Sequence, residues 1–438
     1  MKQESHNNAP QYYEQAGRWH VAPYLFTFDV AVKGRWIGKS LVDTFTSEFQ
    51  HHTENYYVEA CRVMRLWVTR PLSQVSKRPR SIDAPTSDDC EVIRDPKCIL
   101  QPRDHIFHCI HKHELSIYSS RPIIVLRAPI STLGVLVLNK PPSIPVHPSG
   151  RFNFNSVTCI LEAFKQAHTD SSTILRSMVQ ADSSMPGEEL EEWKAFLSSP
   201  ESPKWRPCYR LDRSTSGVLV IGLSHAVASC VGKQLEQKIS NCSEERENSL
   251  EKVYVARVSG VFPESQLCDA PIFCVDASTY SCHAAMEGGP VSFRATAWNE
   301  GKGKMAKTQF RRLATDHTLQ QSVVECRPAT GRTHQIRVHL AHLGFPIVND
   351  VKYNSSLHNS NKRQEKRFFD AMSVPSNCHW AKDSLCAECD GDLPVSNYGE
   401  DGSMIYLHAW RYTIVLEGKS VVFHAPLPSW TSVEPSGE

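Results

Sequence analysis

The stretch "RPCYRLDRSTSGVLVIGLS", residues 206–224, decides how this chain is read. One carboxylate, Asp212, stands between two guanidinium groups, Arg210 and Arg213, and an apolar run, Val218–Leu223, follows at once. A short apolar run bounded by polar turn residues reads as a buried strand. A charged turn leading into a core strand accounts for the pattern by packing alone. A carboxylate kept ionised for chemistry accounts for it as well, and the rest of the chain has to separate the two.

The chain has 438 residues, too many for one small core, which suggests two or three domains. Hydrophobic residues make up 40% and charged residues 22%, the balance of a soluble globular protein. No apolar run approaches the roughly 18–20 residues that span a bilayer. The longest, "GVLVLN" (134–139) and "VLVIGL" (218–223), have strand length. Residues 1–22 read as a polar tail: they carry Glu4 and Glu14 and no apolar signal core. Cytoplasm or nucleus is the expected location, with the mitochondrion left open. Fifteen cysteines, scattered and odd in number, read as reduced thiols and not as a disulfide framework. A net charge of +1 confines any nucleic-acid surface to a local patch.

Along the chain, "YLFTFDVAV" (24–32) is strand-like. "GKSLVDTFTSEF" (38–49) reads as a helix capped by Ser40, with Asp43 at its third position and Leu41, Val42, Phe45 and Phe49 on one face. Lys33, Arg35, Lys39, Arg62 and Arg65 are interleaved with Trp36, Val63 and Trp67. Basic residues mixed with aromatics on a small domain suggest RNA contact. A solvated charged face is the plain alternative. Residues 71–95 are Pro/Ser-rich and read as a loop. "DHIFHCIHKHE" (104–114) alternates as a strand, and its histidines read as polarity on a strand edge, with no cysteine pair near them in sequence.

A second domain begins near residue 116. Its strands are short, and helices are expected near 156–168, 224–239 and 333–343. Residues 168–203, 240–250 and 354–403 are polar and read as insertions. The fold class is therefore α+β, a mostly antiparallel mixed sheet with flanking helices. The insertion at 354–403 holds "CAEC", Cys386 and Cys389. The pair has zinc-knuckle spacing, with Cys378 and His379 close in sequence, but one C-x-x-C is a weak signal and reads first as a thiol pair; zinc stays the alternative and no metal is assigned.

The other strong segment is "ATGRTHQIRVHLAHLGFPIVND" (329–350). Thr333 is placed to cap a helix that Gly344 ends, with Pro346 beyond. Ile336, Leu340 and Leu343 form its buried stripe; His334, Arg337 and Ala341 line the adjacent face, so Arg337 is carried on a rigid element near the core edge. His334, His339 and His342 invite a zinc reading, but His334 and His339 are five apart and no Glu lies in the helix. The zinc-protease pattern needs two His four apart with a Glu between them. "RSTSG" (213–217) is likewise not the Gly-x-Ser-x-Gly elbow of a hydrolase.

Taken together, "RLDRSTSGVLV" (210–220) and "GRTHQIR" (331–337) resemble the signatures of the RluA-type pseudouridine synthase family. Between them "EKVYVARVSGVFP" (251–263) resembles the family's Lys-x-Tyr segment. "LNKPPSIPVHPSGRFNFNSV" (138–157), "LHAWRYTI" (407–414) and "FHAPLPSW" (423–430) are similar to its eukaryotic branch. The motifs keep the family's order across most of 104–430.

The resemblance implies a pseudouridine synthase fold over 116–430, preceded by a small α/β RNA-binding module of αL type over 23–115, with an insertion at 71–95. Residues 431–438 form a tail. It implies that Asp212 is the catalytic aspartate, Tyr254 the active-site tyrosine and Arg337 the basic partner of the aspartate. It further assigns Arg210, Arg213, Arg332, His334, Gln335 and Lys140 to substrate binding, and Lys33, Arg35, Lys39, Arg62 and Arg65 to the RNA-binding module. The implied reaction turns uridine into pseudouridine and needs no cofactor. The implied partner is RNA, most closely the anticodon loop of tRNA at a position-32 type of uridine. A catalytically inactive RNA-binding protein on the same fold, and a synthase acting mainly on rRNA or mRNA, are the alternatives. Tyr209 stands where the family usually has His, and "GFPIVND" (344–350) replaces the commoner Gly-His-Pro-Ile.

Overall fold

A computed structural model describes residues 10–49, 52–72, 90–129, 134–167, 173–200, 203–240, 250–276, 281–284, 303–357, 383–386, 389, 404–416 and 418–433. The chain divides into two compact units. One gathers Met1–Gln11, Val21–Glu114 and Val374–Ser396; the other gathers Tyr12–His20, Leu115–Ser373 and Asn397–Glu438.

The smaller unit is a four-stranded antiparallel sheet with two helices. Strand His105–Lys112 lies inside that sheet, between Tyr24–Ala31 and Leu66–Pro71, and Cys90–Ile93 forms the far edge. His105, His108 and His111 are therefore on an inner strand and not on an edge, with His113 just beyond its end, and part of the expected 71–95 loop is strand. Ser40 caps the helix Leu41–Glu48 by accepting from the Asp43 N–H, as its sequence predicts. Leu41, Val42 and Phe45 of that helix pack with Trp36, Tyr57, Leu66 and Ile106 in the unit's core.

The larger unit is built on an eleven-stranded sheet. Its main path runs Val179–Ala181, Ile123–Arg127, Val135–Lys140, Ser216–Gly222, Leu407–Leu416, Glu251–Ser259, Gln321–Pro328, Thr308–Asp316 and Ser265–Cys268. Two pairings are parallel, Val179–Ala181 with Ile123–Arg127 and Ser216–Gly222 with Leu407–Leu416; the other pairings on this path are antiparallel. Helices Val157–Gln166, His225–Ser240 and Gln335–His342 match the three expected positions. Val218, Leu219, Val220 and Ile221 are wholly buried, each contributing about 1.5–3 kcal/mol of apolar burial. The apolar run after Asp212 is thus the central strand of this sheet.

Two expectations change in this unit. Residues 12–21 are not tail: Tyr12–Gln15 and Arg18–Val21 are strands, Arg18 and Trp19 pair with Tyr118 and Ile117, and Trp19 joins the main core. Residues 168–203 contain helices Thr173–Met178 and Gly187–Ser198 flanking a sheet strand, and they bury Leu175, Met178, Trp193 and Leu197. Both segments mix apolar with polar residues, and Trp19, Leu175, Met178, Trp193 and Leu197 are among those that reach the core. Most of 240–250 and of 354–403 lies outside the described residues.

Candidate active site

The turn that carries Asp212 closes with the Thr215 N–H donating to the Asp212 carbonyl at 3.1 Å. Behind it the chain enters the central strand through Gly217, at φ 113°. A Cβ on Gly217 would stand 2.2 Å from the Ala409 carbonyl oxygen, so only glycine lets this strand lie against Leu407–Leu416. Ser216 also meets the His408 Nδ1 across that pairing, at 2.8 Å. The Ser-Gly of the opening motif therefore serves the sheet, while the Asp projects from its mouth with 32% of its side chain exposed.

Arg337 approaches Asp212 from the helix Gln335–His342, with Nη1 3.8 Å from Oδ2. Its own side chain is buried, and Nε and Nη2 donate to the two oxygens of Asp350 at 2.7 and 2.8 Å. Burial works against the guanidinium charge, but the bonds and charge of Asp350, joined by Asp212, hold its pKa above the ordinary arginine value. Arg337 is thus a fixed cation with one edge occupied by Asp350 and the other turned to Asp212. Asp350 closes the "GFPIVND" segment and was assigned no role from sequence. A carboxylate thirteen residues beyond a buried arginine was the available signal.

The start of that helix differs from expectation. Its N-cap is His334 and not Thr333, in the left-handed region at φ 55°, without a side-chain cap bond. That conformation places the His334 Nε2 3.9 Å from Asp212 and its Nδ1 2.7 Å from the Tyr353 hydroxyl. Burial pulls the imidazole down to about 4, against the opposing pull of Asp212, so it is neutral near pH 7.

Tyr254, on strand Glu251–Ser259, shares a short hydroxyl–hydroxyl hydrogen bond with Tyr412. Burial pushes its phenol up, with Tyr412 acting the other way and Asp212 adding to the rise, so Tyr254 is a neutral phenol at neutral pH. Tyr412 in turn stacks on Tyr209, with ring centroids 4.6 Å apart. Tyr209 donates its hydroxyl to the Val218 carbonyl, which shows what a tyrosine does at this position: it supports the aromatic layer beneath the site.

The other expected substrate residues divide. Arg210 is exposed beside Asp212, and among the described residues it makes no ion pair. Arg213 lies over the Phe152 ring at 5.5 Å. Lys140 is fully buried; its Nζ donates to the Pro141, Ile144 and Arg213 carbonyls at 2.8, 2.9 and 3.2 Å and ties down the turn. Burial pulls its ammonium down to about 7, while the charge of Asp212 acts the other way. Gln335 is buried and uses its amide on Thr330, the Arg332 N–H, the Lys307 carbonyl and Thr308. Arg332 donates Nε to the Met305 carbonyl. Lys140, Gln335 and Arg332 are thus engaged with neighbouring backbone and side chains, while Asp212, Arg213, His334 and Tyr254 stay partly exposed and Arg210 is exposed. His339 is a core histidine bonded to Thr308 and the Ala270 carbonyl.

In the smaller unit, Arg35 pairs with Glu48, Arg62 with Glu59 and Arg65 with Asp383. Lys33 and Arg35 stand 4.9 and 5.5 Å from the Trp36 ring, and Lys39 lies in the same stretch.

Residues 134–342 match the family model described as RNA pseudouridylate synthase. RNA pseudouridine synthase 7 of Oryza sativa subsp. japonica is 30% identical, over 95% of this chain and 91% of that protein. The tRNA pseudouridine(31) synthase of Saccharomyces cerevisiae is 28% identical, over 97% of this chain and 98% of that protein. The mitochondrial tRNA pseudouridine(32) synthase of the same yeast is 31% identical, over 76% and 54%. The chain spans 56–60% of the length of the mouse and human relatives it matches at 32% identity. Among the described residues no helix is long and apolar enough to cross a membrane. With the Asp212 turn and the Arg337 helix both inside the matched region, this chain belongs to the RNA pseudouridine synthase family.

Proposed function

We propose that this chain isomerises uridine to pseudouridine in RNA, with Asp212 as the catalytic carboxylate, Arg337 as its cationic partner and Tyr254 against the base. The observation that carries the reading is the half-buried Asp212 facing a guanidinium that Asp350 fixes from behind. An unperturbed aspartate is ionised near pH 7, and an adjacent fixed cation keeps and aims that charge. With the carboxylate at the sugar, N1–C1′ breaks, uracil turns, C5 joins C1′, and the proton that C5 gives up is matched by one taken up at N1. Carboxylates at sugar centres do comparable work in glycosidases. Nothing is oxidised and no outside group is added, so the residues at hand suffice. The neutral phenol of Tyr254 suits packing on uracil and exchange of its hydroxyl proton, and not a standing phenolate base. The target nucleotide must leave its stack at a cost of a few kcal/mol, least in a loop. Arg210 is placed at the mouth to fill the gap or grip phosphate.

The substrate we propose is tRNA in its anticodon arm, a position-32 type of uridine or its neighbour at 31. The two yeast relatives bear those positions in their names. The unit containing residues 23–115 is proposed to hold RNA through Lys33, Arg35 and Lys39 around Trp36, and through Arg62 where phosphate displaces the exposed Glu59; Arg65 keeps its largely buried partner Asp383 and adds its charge to the same face. Binding should weaken steeply with salt, because each phosphate contact releases counterions. Tritium release from tRNA transcripts labelled at uridine C5, with cytidine placed at 31, at 32 or at both, tests the assignment. Loss of release only with the double replacement, or with one of the single ones, supports it. Release unaffected by both replacements overturns positions 31 and 32, and release seen only with rRNA or mRNA overturns the tRNA assignment. Salt-sensitive binding without release from any RNA marks an inactive binding protein.

A further inference from the structure

Four side chains that sequence keeps far apart meet in the smaller unit. His111 ends the strand His105–Lys112 and His113 follows one residue beyond it, with ring centroids 4.9 Å apart. Residues two apart on an extended chain point to the same side. Cys386 and Cys389 come from the segment 374–396, which groups with this unit although it lies some 275 residues further along the chain. The Cys386 N–H donates to the Asp383 carbonyl and the Cys389 N–H to the Cys386 carbonyl, at 2.9 and 3.0 Å. The Cys389 Sγ stands 3.1 Å from the His111 Nδ1 and 3.4 Å from the His113 Nε2. The donor atoms of all four residues lie within 4.8 Å of one another.

Tetrahedral zinc with bonds of about 2.3 Å to sulfur and about 2.0–2.1 Å to nitrogen has donor–donor edges of roughly 3.3–3.8 Å. The His–Cys spacings here are close to that range, and a small outward movement of the thiol admits an ion. Two thiols and two imidazoles form a donor set that favours zinc over calcium or magnesium, which take oxygen ligands. The loop is also anchored without any metal. Asp383 makes a 2.8 Å ion pair with Arg65, and Leu385 packs on the unit's hydrophobic core. The donors are therefore brought into place by contacts that do not depend on the ion.

We infer that His111, His113, Cys386 and Cys389 form a structural zinc site that fastens the segment around 383–389 to the sheet of the smaller unit. Four protein donors leave no open position, which separates a structural site from a catalytic one. The inference stands apart from the proposed reaction. Cys378 and His379, which lie near the pair in sequence, are outside the described residues.

The test is the metal content of the full chain, purified in a thiol reductant without chelator and measured by mass spectrometry of the elements. About one zinc per chain is expected. Replacement of zinc by cobalt(II) should give tetrahedral d–d bands and a thiolate-to-cobalt band. C389S and H113A should lose the metal, while H113C, which keeps four donors, retains it, as does C230S at an exposed cysteine elsewhere. Background zinc in the wild type that does not rise on titration overturns the inference, whether or not the variants fold. So does a Cys386–Cys389 disulfide mapped in the freshly purified protein, or zinc that survives in C386S/C389S.

Discussion

Arg337 and Arg62 make the same contact in opposite surroundings. Each guanidinium grips one carboxylate through two hydrogen bonds, Arg337 to Asp350 and Arg62 to Glu59. The side chains of the first pair are 8% and 1% exposed, those of the second 72% and 40%. A buried pair cannot trade its partner for water, so it fixes the position of whatever its free edge faces. An exposed pair is screened and exchangeable, so it adds little stability and leaves the arginine open to phosphate. The same chemistry builds a rigid cation under Asp212 in one unit and an adjustable charged face in the other.

Removing the buried partner should break this contrast most severely. Asp350→Ala leaves a buried guanidinium without its counter-charge and should cost about 3–5 kcal/mol of stability. Asp350→Asn keeps one acceptor for Arg337 and should cost less. Urea unfolding of the two variants checks the order; equal midpoints for D350A and the wild type would remove the buried pair from the account.

Acid should act next, through the buried imidazoles. Burial pulls His334, His339 and His408 in the larger unit, and His108 in the smaller, down to about 4. On unfolding they return toward 6.5, so the unfolded chain binds more protons between those values. Their contribution to stability is whole above pH 6.5 and is lost as pH falls toward 4. The urea midpoint should therefore be highest above pH 6.5 and decline through that window; a flat or rising midpoint would contradict the burial of these rings.

The exposed pair should give the smallest effect. Arg62→Ala should leave the melting temperature unchanged within error while weakening RNA binding and flattening its salt dependence. A lowered melting temperature with unchanged binding would reverse the roles given to the two arginines.

Much of the site was legible because its parts are local. The turn at Asp212, the strand behind it and the helix carrying Arg337 each declare themselves within a dozen residues. What sequence concealed was contact across distance. Tyr412 meets Tyr254 from 158 positions away, and Cys389 meets His111 from 278. Asp350 was near in sequence but stood in a segment that merely departed from a pattern. Residues 12–21 and 168–203 were missed for another reason. Both were set aside on their polar residues, and only the completed sheet shows that Trp19, Leu175 and Trp193 join one core. The left-handed cap at His334 was hidden too, since Thr333 is the better capping residue by type and tertiary contacts with Asp212 and Tyr353 prevailed.

The central claim is that Asp212 does chemistry and is not simply a charged turn. Asp212→Asn keeps the shape of the side chain and removes its charge. Tritium release from C5-labelled tRNA, measured beside RNA binding and the melting temperature, separates the two accounts. Release by the wild type with none by the variant, at unchanged binding and folding, is the predicted result. Release by the variant at near the wild-type rate would contradict it and return Asp212 to the role of a turn before a core strand.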